Sequence, residues 1–476
     1  MLAAFAVAAF IVAVPAIGAS SASVHSTAPT ASINVWMVDN GANVNNLWTQ
    51  QATSFDAAHP GDHVNVSITP SSSNTYQVKL LSALGTNNPP ALFFSWGGGT
   101  LQQFIQAGKA QPFADAGMTD AGSPSWTKDF LSSSLGPVTF NKKVYGIPIL
   151  GTQPVLFFYN KTVLAKYHLA FPQTVPEMLS DVKILAAHNT ALIGLGNVDN
   201  WEGLMYLEYF ADREGGPSVF LNIQANKKNA WSNPAIVSAL KDIQTLVKDN
   251  AFQTGYDSIS WGTGFVDALV YQGVAAMELM GDWDLGIMLS DNATFVHSGQ
   301  LGIGAFPTVP GGKGNANDLE GNTTNYVAMA TKITSAQTYV AEQFAASVFS
   351  SKAYAAAEVK DGLVPMVAGS ASLLNASPLK KYLVPVYNMV AKAPYFQYSW
   401  DQALGPVKAT PTVSYTHLPP MSRRVARPPA GIPACRPGTL RTRPPLPAPV
   451  SYTHLEGLVP GVLEVGSLRD HVVNRH

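Results

Sequence analysis

Apolar runs of strand length alternate with helical stretches from residue 32 onward, and this alternation restricts the fold more than any other feature of the chain. Ser32 to Val38 reads as a strand, Val44 to Ala58 as a helix, Val64 to Ile68 as a strand, Tyr76 to Leu84 as a helix and Ala91 to Ser95 as a strand. Strands separated by helices bury their apolar faces as a parallel sheet with helices packed on it. The strand ends at Asp39-Asn40 and Ser95-Trp96-Gly97-Gly98-Gly99 then share one edge, and in open α/β sheets ligands sit outside such an edge.

Further along, Val144 to Ile149 and Pro154 to Tyr159 read as strands, and Thr174-Val175-Pro176-Glu177 is a capping box opening a helix to about Ala187. Asn233-Pro234 opens another helix, with its N-cap and first-turn preferences both met. Val274 to Met280 is a buried strand ending at Gly281-Asp282-Trp283, and Ser335 to Phe349 is helical. A chain of 476 residues is too long for one core and suits two lobes of ordinary domain size.

Residues 1 to 418 hold all 20 lysines but one arginine, Arg213, whereas 419 to 476 hold eight arginines and no lysine. The body therefore carries a net charge of −6 and the end segment +5. A negative body excludes a nucleic-acid binder of the usual electrostatic kind. The single cysteine, Cys435, excludes an intrachain disulfide and any cysteine-based zinc or redox motif.

Leu2 to Val14 is unbroken apolar sequence followed by Pro15 and the small-residue run Ala16 to Ser23, which reads as a signal peptide over 1–23 and a linker over 24–31. No cysteine follows it, which argues against a lipid anchor. From Pro419 to Pro449 ten of 31 residues are proline and six arginine, without acid or apolar periodicity, a composition that cannot pack a core. The hexapeptide Val-Ser-Tyr-Thr-His-Leu stands at 413–418 and again at 450–455. It matches one reading frame of a sequencing-library adaptor, so 413–476 is expected to be a non-native, disordered tail.

Six stretches resemble a known family: Ala91 to Gly99, Lys143 to Pro148, Gln153 to Lys161, Gly203 to Tyr209, Ala275 to Trp283 and Lys392 to Leu404. Their order and spacing over roughly residues 32 to 407 resemble the extracellular solute-binding proteins, family 1, of ABC sugar importers, particularly those for xylo- and raffinose-type oligosaccharides. The resemblance implies an α/β fold of two discontinuous lobes joined by a hinge, the periplasmic-binding-protein fold. The chain is expected to cross near Leu150, Trp283 and Ser350, so that 32–150 plus 286–350 form lobe 1 and 151–285 plus 351–412 form lobe 2. It also implies further C-terminal helices beyond Leu404, where this sequence runs into the adaptor-like hexapeptide.

A sugar presents hydroxyls that need planar polar partners and C–H faces that need flat apolar ones. Trp96, Trp201, Trp283 and Trp400 each stand beside polar residues or glycine at expected element ends, and Asn40, Ser95, Gln153, Glu202, Asp282, Asn322 and Asp401 supply amides, a hydroxyl and carboxylates. Gly97 to Gly99 reads as a close approach of backbone to sugar, since no Lys-Ser/Thr follows to make a phosphate loop. Trp201 and Trp400 read equally as core residues, Trp96 and Trp283 less so, and Asn40 and Asn322 read also as turn or capping residues. Pro60-Gly61 separates His59 from His63 and breaks the helix that would align them on a metal.

The expected protein is a monomeric, cofactor-free binding module, secreted or periplasmic at the extracytoplasmic face of a bacterial membrane. It captures a di- or oligosaccharide between its lobes and delivers it to the membrane permease subunits of an ABC importer. A secreted carbohydrate-active enzyme on a related scaffold is the alternative, with Glu202, Asp282 and Asp401 as candidate carboxylates at a glycosidic bond. A peptide or polyamine binder would want a more acidic cleft and fewer tryptophans.

Overall fold

Helix Ala42–Ala58 illustrates how local pattern becomes structure: Val44, Leu47, Trp48, Ala52 and Phe55 fall on one face at helical period and are the positions it buries. The computed structural model describes residues 29–70, 75–113 and 126–405. The expected signal peptide and the tail from 413 lie outside the described residues, as does most of the 24–31 linker. Thr174 and Glu177 close the expected capping box, as Thr334 and Gln337 do for helix Ser335–Phe349. Asn233 caps helix Pro234–Lys248 by accepting from the Ala235 amide.

The described strands, in chain order, are β1 (Ser32–Val38), β2 (His63–Thr69), β3 (Leu92–Ser95), β4 (Ala110–Gln111), β5 (Thr139–Phe140), β6 (Lys143–Val144) and β7 (Gly146–Pro148). There follow β8 (Gln153–Asn160), β9 (Ala191–Gly194), β10 (Ala275–Gly281), β11 (Leu301–Gly304), β12 (Leu319–Asn322), β13 (Tyr326–Ala330) and β14 (Phe396–Tyr398). The expected single strand Val144 to Ile149 is broken, because β6 turns back on β5 while β7 joins a larger sheet.

One sheet runs β2-β1-β3-β13-β4, with β7 also on β13; the other runs β14-β12-β8-β10-β9, with β11 also on β8. In the first, β1, β2 and β3 are parallel and β13 returns antiparallel, pairing Tyr326 with Ser95. The second departs from the expected parallel sheet: β8 is antiparallel to β10, β11 and β12. Each sheet has its own cluster of buried apolar side chains, one containing Phe93, Phe94 and Val327, the other Phe157, Phe210 and Met277. These are the two lobes.

The chain first passes between lobes at Ile149 to Thr152, after β7 and before β8. The second passage is at Thr323 to Asn325, between β12 and β13, rather than near Trp283. Residues 286–322, expected in lobe 1, belong to lobe 2 because β11 and β12 hydrogen-bond to β8. The third passage lies between Tyr354 and Leu374, where side chains alternate between the two cores, and not at Ser350. Tyr354 and Val367 pack in the first core, Val367 bridges Phe130, and Leu374 packs in the second core.

The three passages touch. The Ile149 amide donates to the Asn325 carbonyl (2.9 Å), the Thr152 amide to the Val364 carbonyl (2.9 Å), and the Thr324 hydroxyl to the Leu150 carbonyl. Tyr354 adds a hydroxyl bond to the Ile149 carbonyl at 2.6 Å.

The one arginine of the body is structural. Arg213 is buried, pairs with Asp212 at 2.8 Å and donates to the carbonyls of Phe306, Ala316 and Asp318. It thereby holds the 306–318 connection onto helix Trp201–Gly215. Arg213→Ala leaves Asp212 buried without its counter-charge and three carbonyls without a donor, and is expected to cost about 3–5 kcal/mol of stability. Denaturant unfolding of the variant measures this.

Candidate ligand cleft

Strand direction decides which residues share an edge. Because β1 and β3 are parallel, Asn40 and the Ser95-Trp96-Gly97 turn emerge at the same end of the first sheet. In the second sheet the start of β8 (Gln153) lies beside the ends of β10 (Gly281, Asp282) and β12 (Asn322), with Asn322 paired to Gln153. β9 is parallel to β10, so the chain leaving it toward Trp201 and Glu202 leaves from that end as well. Residues 149–152 and 323–325 join the two edges directly, which sets them face to face across the hinge.

At the hinge Asn40, Gly41 and Leu150 meet Trp283, Gly286 and Leu363 around a cavity of about 10 Å³, room for about one water. Asn40 is part of a turn, donating from its amide side chain to the Val38 carbonyl (2.9 Å) and from its backbone to Asn45 (3.1 Å). Trp283 is half-buried and packs against Trp201 (ring centroids 6.2 Å) and Trp261 (6.3 Å). It folds back over Gly281, where an added Cβ would lie 2.0 Å from the indole. Trp261, which meets Trp201 edge-on at 5.7 Å, escaped the sequence reading. Its setting, Ser260-Trp261-Gly262-Thr263-Gly264, is the same tryptophan-among-glycine-and-hydroxyl context that singled out the others.

Gln153 and Asn322 are buried, and the Gln153 Oε1 and Asn322 Oδ1 acceptors have no hydrogen-bond partner among the described residues. Asp282 is fully buried with both carboxylate oxygens in the same condition, and burial pushes it well above the usual carboxylate range. Burial raises Glu202 likewise. Ser95 is committed to its turn, accepting from the Gly97 amide at 3.0 Å. Trp96 is half-buried edge-on to Phe94 (5.0 Å) and Tyr76 (6.0 Å).

Two expectations change. Trp400 is a core residue of lobe 2: its ring is fully buried, lies parallel to Phe220 at 5.3 Å and 9°, and meets Trp231 edge-on. Its neighbour Asp401 accepts from the Gln402 backbone and side-chain amides at 2.8 Å, a local turn. The glycines after Trp96 approach protein backbone rather than leave room for sugar. A Cβ on Gly98 would stand 2.5 Å from the Gln402 carbonyl oxygen, and one on Gly99 2.5 Å from the Gly405 amide. Helix Gly98–Gln106 of lobe 1 thus meets helix Trp400–Leu404 of lobe 2, and the Tyr398 hydroxyl donates to the Trp96 carbonyl across the same contact.

Behind Trp261 and Trp283 lie Asp267, Glu278 and Asp284, all buried, with carboxylate oxygens within 4.8 Å of one another. That spacing suits either a hard cation or shared protons. Burial raises all three, Asp284 and Glu278 well above the usual range. His59 and His63 go to separate partners, the Phe55 carbonyl and Asp56.

A family model for bacterial extracellular solute-binding proteins matches residues 36–355, more than half of the chain. The chain belongs to that family. An uncharacterized ABC transporter extracellular-binding protein of Pyrococcus horikoshii is 24% identical over 216 residues, 44% of this chain and 45% of that one. A xylose/arabinose-binding protein of Haloferax volcanii is 24% identical over 249 residues, 50% of each chain. The chain spans about half the length of the curated relatives it matches.

Among solved structures, one concerned with xylan utilization by the thermophilic bacterium Caldanaerobius polysaccharolyticus has a TM-score of 0.70 at 24% identity, covering 81% of this chain and 95% of its own. A chitin oligosaccharide binding protein has a TM-score of 0.70 at 22% identity, covering 80% and 91%. A solute-binding protein in complex with raffinose has 0.62 at 17%, covering 82% and 95%. These likenesses show the two-lobe fold.

The buried acids make stability depend on pH. Asp212, even beside Arg213, and Asp401 are pushed up to about 6 by burial, and the acids behind the tryptophans are raised as well. Their unfolded values lie near 4, so the folded chain holds protons that the unfolded chain releases. This stabilisation is fully present below about pH 4 and is lost as pH rises through about 6 and beyond. The melting temperature should therefore be higher at pH 5 than at pH 8, with Asp284→Asn, which cannot ionise, flattening the slope; a rise toward pH 8 would contradict the account. Trp400→Ala should cost roughly 3–5 kcal/mol of stability as a core truncation, read from the same melts.

Proposed function

We propose that the protein is the extracytoplasmic binding component of an ABC importer, which takes a neutral di- or oligosaccharide between its lobes and presents it to membrane permease subunits. The observation that carries this reading is the edge at Trp283. A half-buried indole, backed by Trp201 and Trp261, stands there beside the unpartnered acceptors of Gln153, Asn322 and Asp282, and across the hinge cavity from Asn40. Flat apolar surface next to buried acceptors is what a pyranose requires, since its C–H face stacks while its hydroxyls donate.

The cavity at the hinge, about 10 Å³, is far smaller than a sugar ring, so entry requires the lobes to part and capture requires them to close. The names of the relatives support a carbohydrate: xylose and arabinose for one, chitin oligosaccharide and raffinose for two structural neighbours. They are binding proteins, which favours capture over turnover. An extracytoplasmic location follows from the family's extracellular character, and no helix among the described residues is long and apolar enough to cross a membrane.

Trp283→Ala is expected to weaken sugar binding by well over tenfold, corresponding to the ~2 kcal/mol or more that a buried aromatic anchor contributes, while the chain still unfolds cooperatively. Titration calorimetry with the sugar that most raises the melting temperature of the unaltered protein provides the test, with chromatography of the same mixtures for products. Unchanged affinity in a folded variant removes Trp283 from the site, and product formation favours the hydrolase reading.

A further inference from the structure

Beyond the hinge cavity, lobe 2 carries a shallow, solvent-open depression of about 540 Å³. The loop after the short turn Tyr256–Ser258 and the start of helix Phe265–Tyr271 form it, with Ser258, Ser260 and Thr263 on its rim, Ile259 on its wall and Phe265 beside it. Phe265 is 49% exposed although it is a large aromatic at the mouth of a pocket. This pairing of an open ring face with hydroxyls is the composition that a sugar ring asks for, as at Trp283.

The depression shares no lining residue with the hinge cavity but lies near it. Its loop includes Trp261, whose ring meets both Trp201 (5.7 Å) and Trp283 (6.3 Å). Helix Trp283–Asp291 runs between the two places: Trp283 lines the hinge cavity at one end, and at the other the Asp291 carboxylate lies 3.6 Å from where a Cβ on Gly264 would stand. Eight residues of helical rise separate those ends by about 12 Å, more than one sugar ring spans.

Carboxylates stand next to its lining residues. Ser260 donates to the Asp199 carboxylate at 2.6 Å, Ser258 lies against Asp257, and Asp291 borders Gly264. No lysine or arginine lines the concavity. Three carboxylates without a lining cation favour hydroxyl donors and repel an acidic sugar.

We infer that the 258–265 concavity is an outer subsite that holds a further ring of a neutral oligosaccharide whose first rings occupy the cleft at Trp283, so that the protein prefers chains of three or more sugars to disaccharides. The inference rests on the sugar-binding reading above and adds the length and charge of the ligand. Phe265 is the stacking surface, and the rim hydroxyls and Asp199 receive the ring's hydroxyls.

The test is titration calorimetry of the full chain against two neutral series, xylobiose to xylopentaose and chitobiose to chitopentaose, with an aldouronic-acid oligosaccharide as the charged probe. The unaltered protein should bind the four-ring member of its preferred series about tenfold or more tightly than the two-ring member, and should bind the charged probe more weakly than the neutral oligosaccharide of equal length. Phe265→Ala should abolish the gain with length while two-ring affinity stays within about twofold; Phe265→Trp should retain the gain. Equal losses for all lengths in Phe265→Ala, or a length gain that survives it, overturn the outer subsite while leaving sugar binding intact. Binding that does not increase with length in the unaltered protein does the same. Failure of every series, with no melting-temperature shift, overturns the sugar reading and the subsite with it.

Discussion

The antiparallel pairing of Gln153 with Asn322 fixes the geometry on which the rest of the protein depends. Each residue stands next to a passage between lobes, so pairing them lays the two passages side by side. The third passage is stitched to the first through the Thr152–Val364 backbone bond. Three adjacent strands of chain bend together more readily than they shear, which is the mechanical basis of a hinge. The same pairing brings the end of β10, and with it Asp282 and Trp283, to the face that looks toward Asn40.

Charge burial follows from a composition with a single arginine before residue 419. Lobe 2 sinks Glu202, Glu208, Glu278, Asp282, Asp284 and Glu320 below the surface, yet the buried ion pair among the described residues is Arg213 with Asp212. Without counter-charges, burial raises the acids' proton affinity instead. Protonated carboxyls can then donate as well as accept: burial holds Glu208 well above the usual range and Glu320 up to about 7, with Ser399 donating to Glu320 at 2.7 Å and the Trp400 amide to Glu208 at 2.8 Å. That pair seats β14 and helix Trp400–Leu404, the part of lobe 2 that meets the glycines of lobe 1. Glu320, held near 7, is the member of that seat whose protonation changes around neutrality.

What was legible in the sequence was whatever local chemistry decides. The strands Ser32–Val38 and Ala275–Gly281, the Thr174 and Asn233 caps, and the gathering of Asn40 and Ser95–Gly97 at one edge all follow from residue type and period over a few positions. Sheet membership did not follow: the short strands β11 and β12 carried no strand signal in the sequence, and only their hydrogen bonds to β8, about 150 residues earlier in the chain, place them. Trp400 looked like a cleft residue from its polar neighbours; its partner Phe220 lies far away in sequence, so its burial had no local signal. Gly98 and Gly99 announced a close approach but not to what. Trp261 carried the right local signal and completes the aromatic face.

The central claim is that the lobes close on a sugar at the Trp283 edge, and the distance between lobes under titration tests it most directly. Cys435 is the chain's single cysteine, so Cys435→Ser frees the chain for spin labels at Val78→Cys in lobe 1 and Val237→Cys in lobe 2, positions 70% and 49% exposed. Electron-paramagnetic-resonance distances between them should shorten as a binding oligosaccharide is added, with the same midpoint as the calorimetric isotherm, and should not shorten in the Trp283→Ala background at that concentration. An interlobe distance that stays constant through saturation would contradict capture by closure.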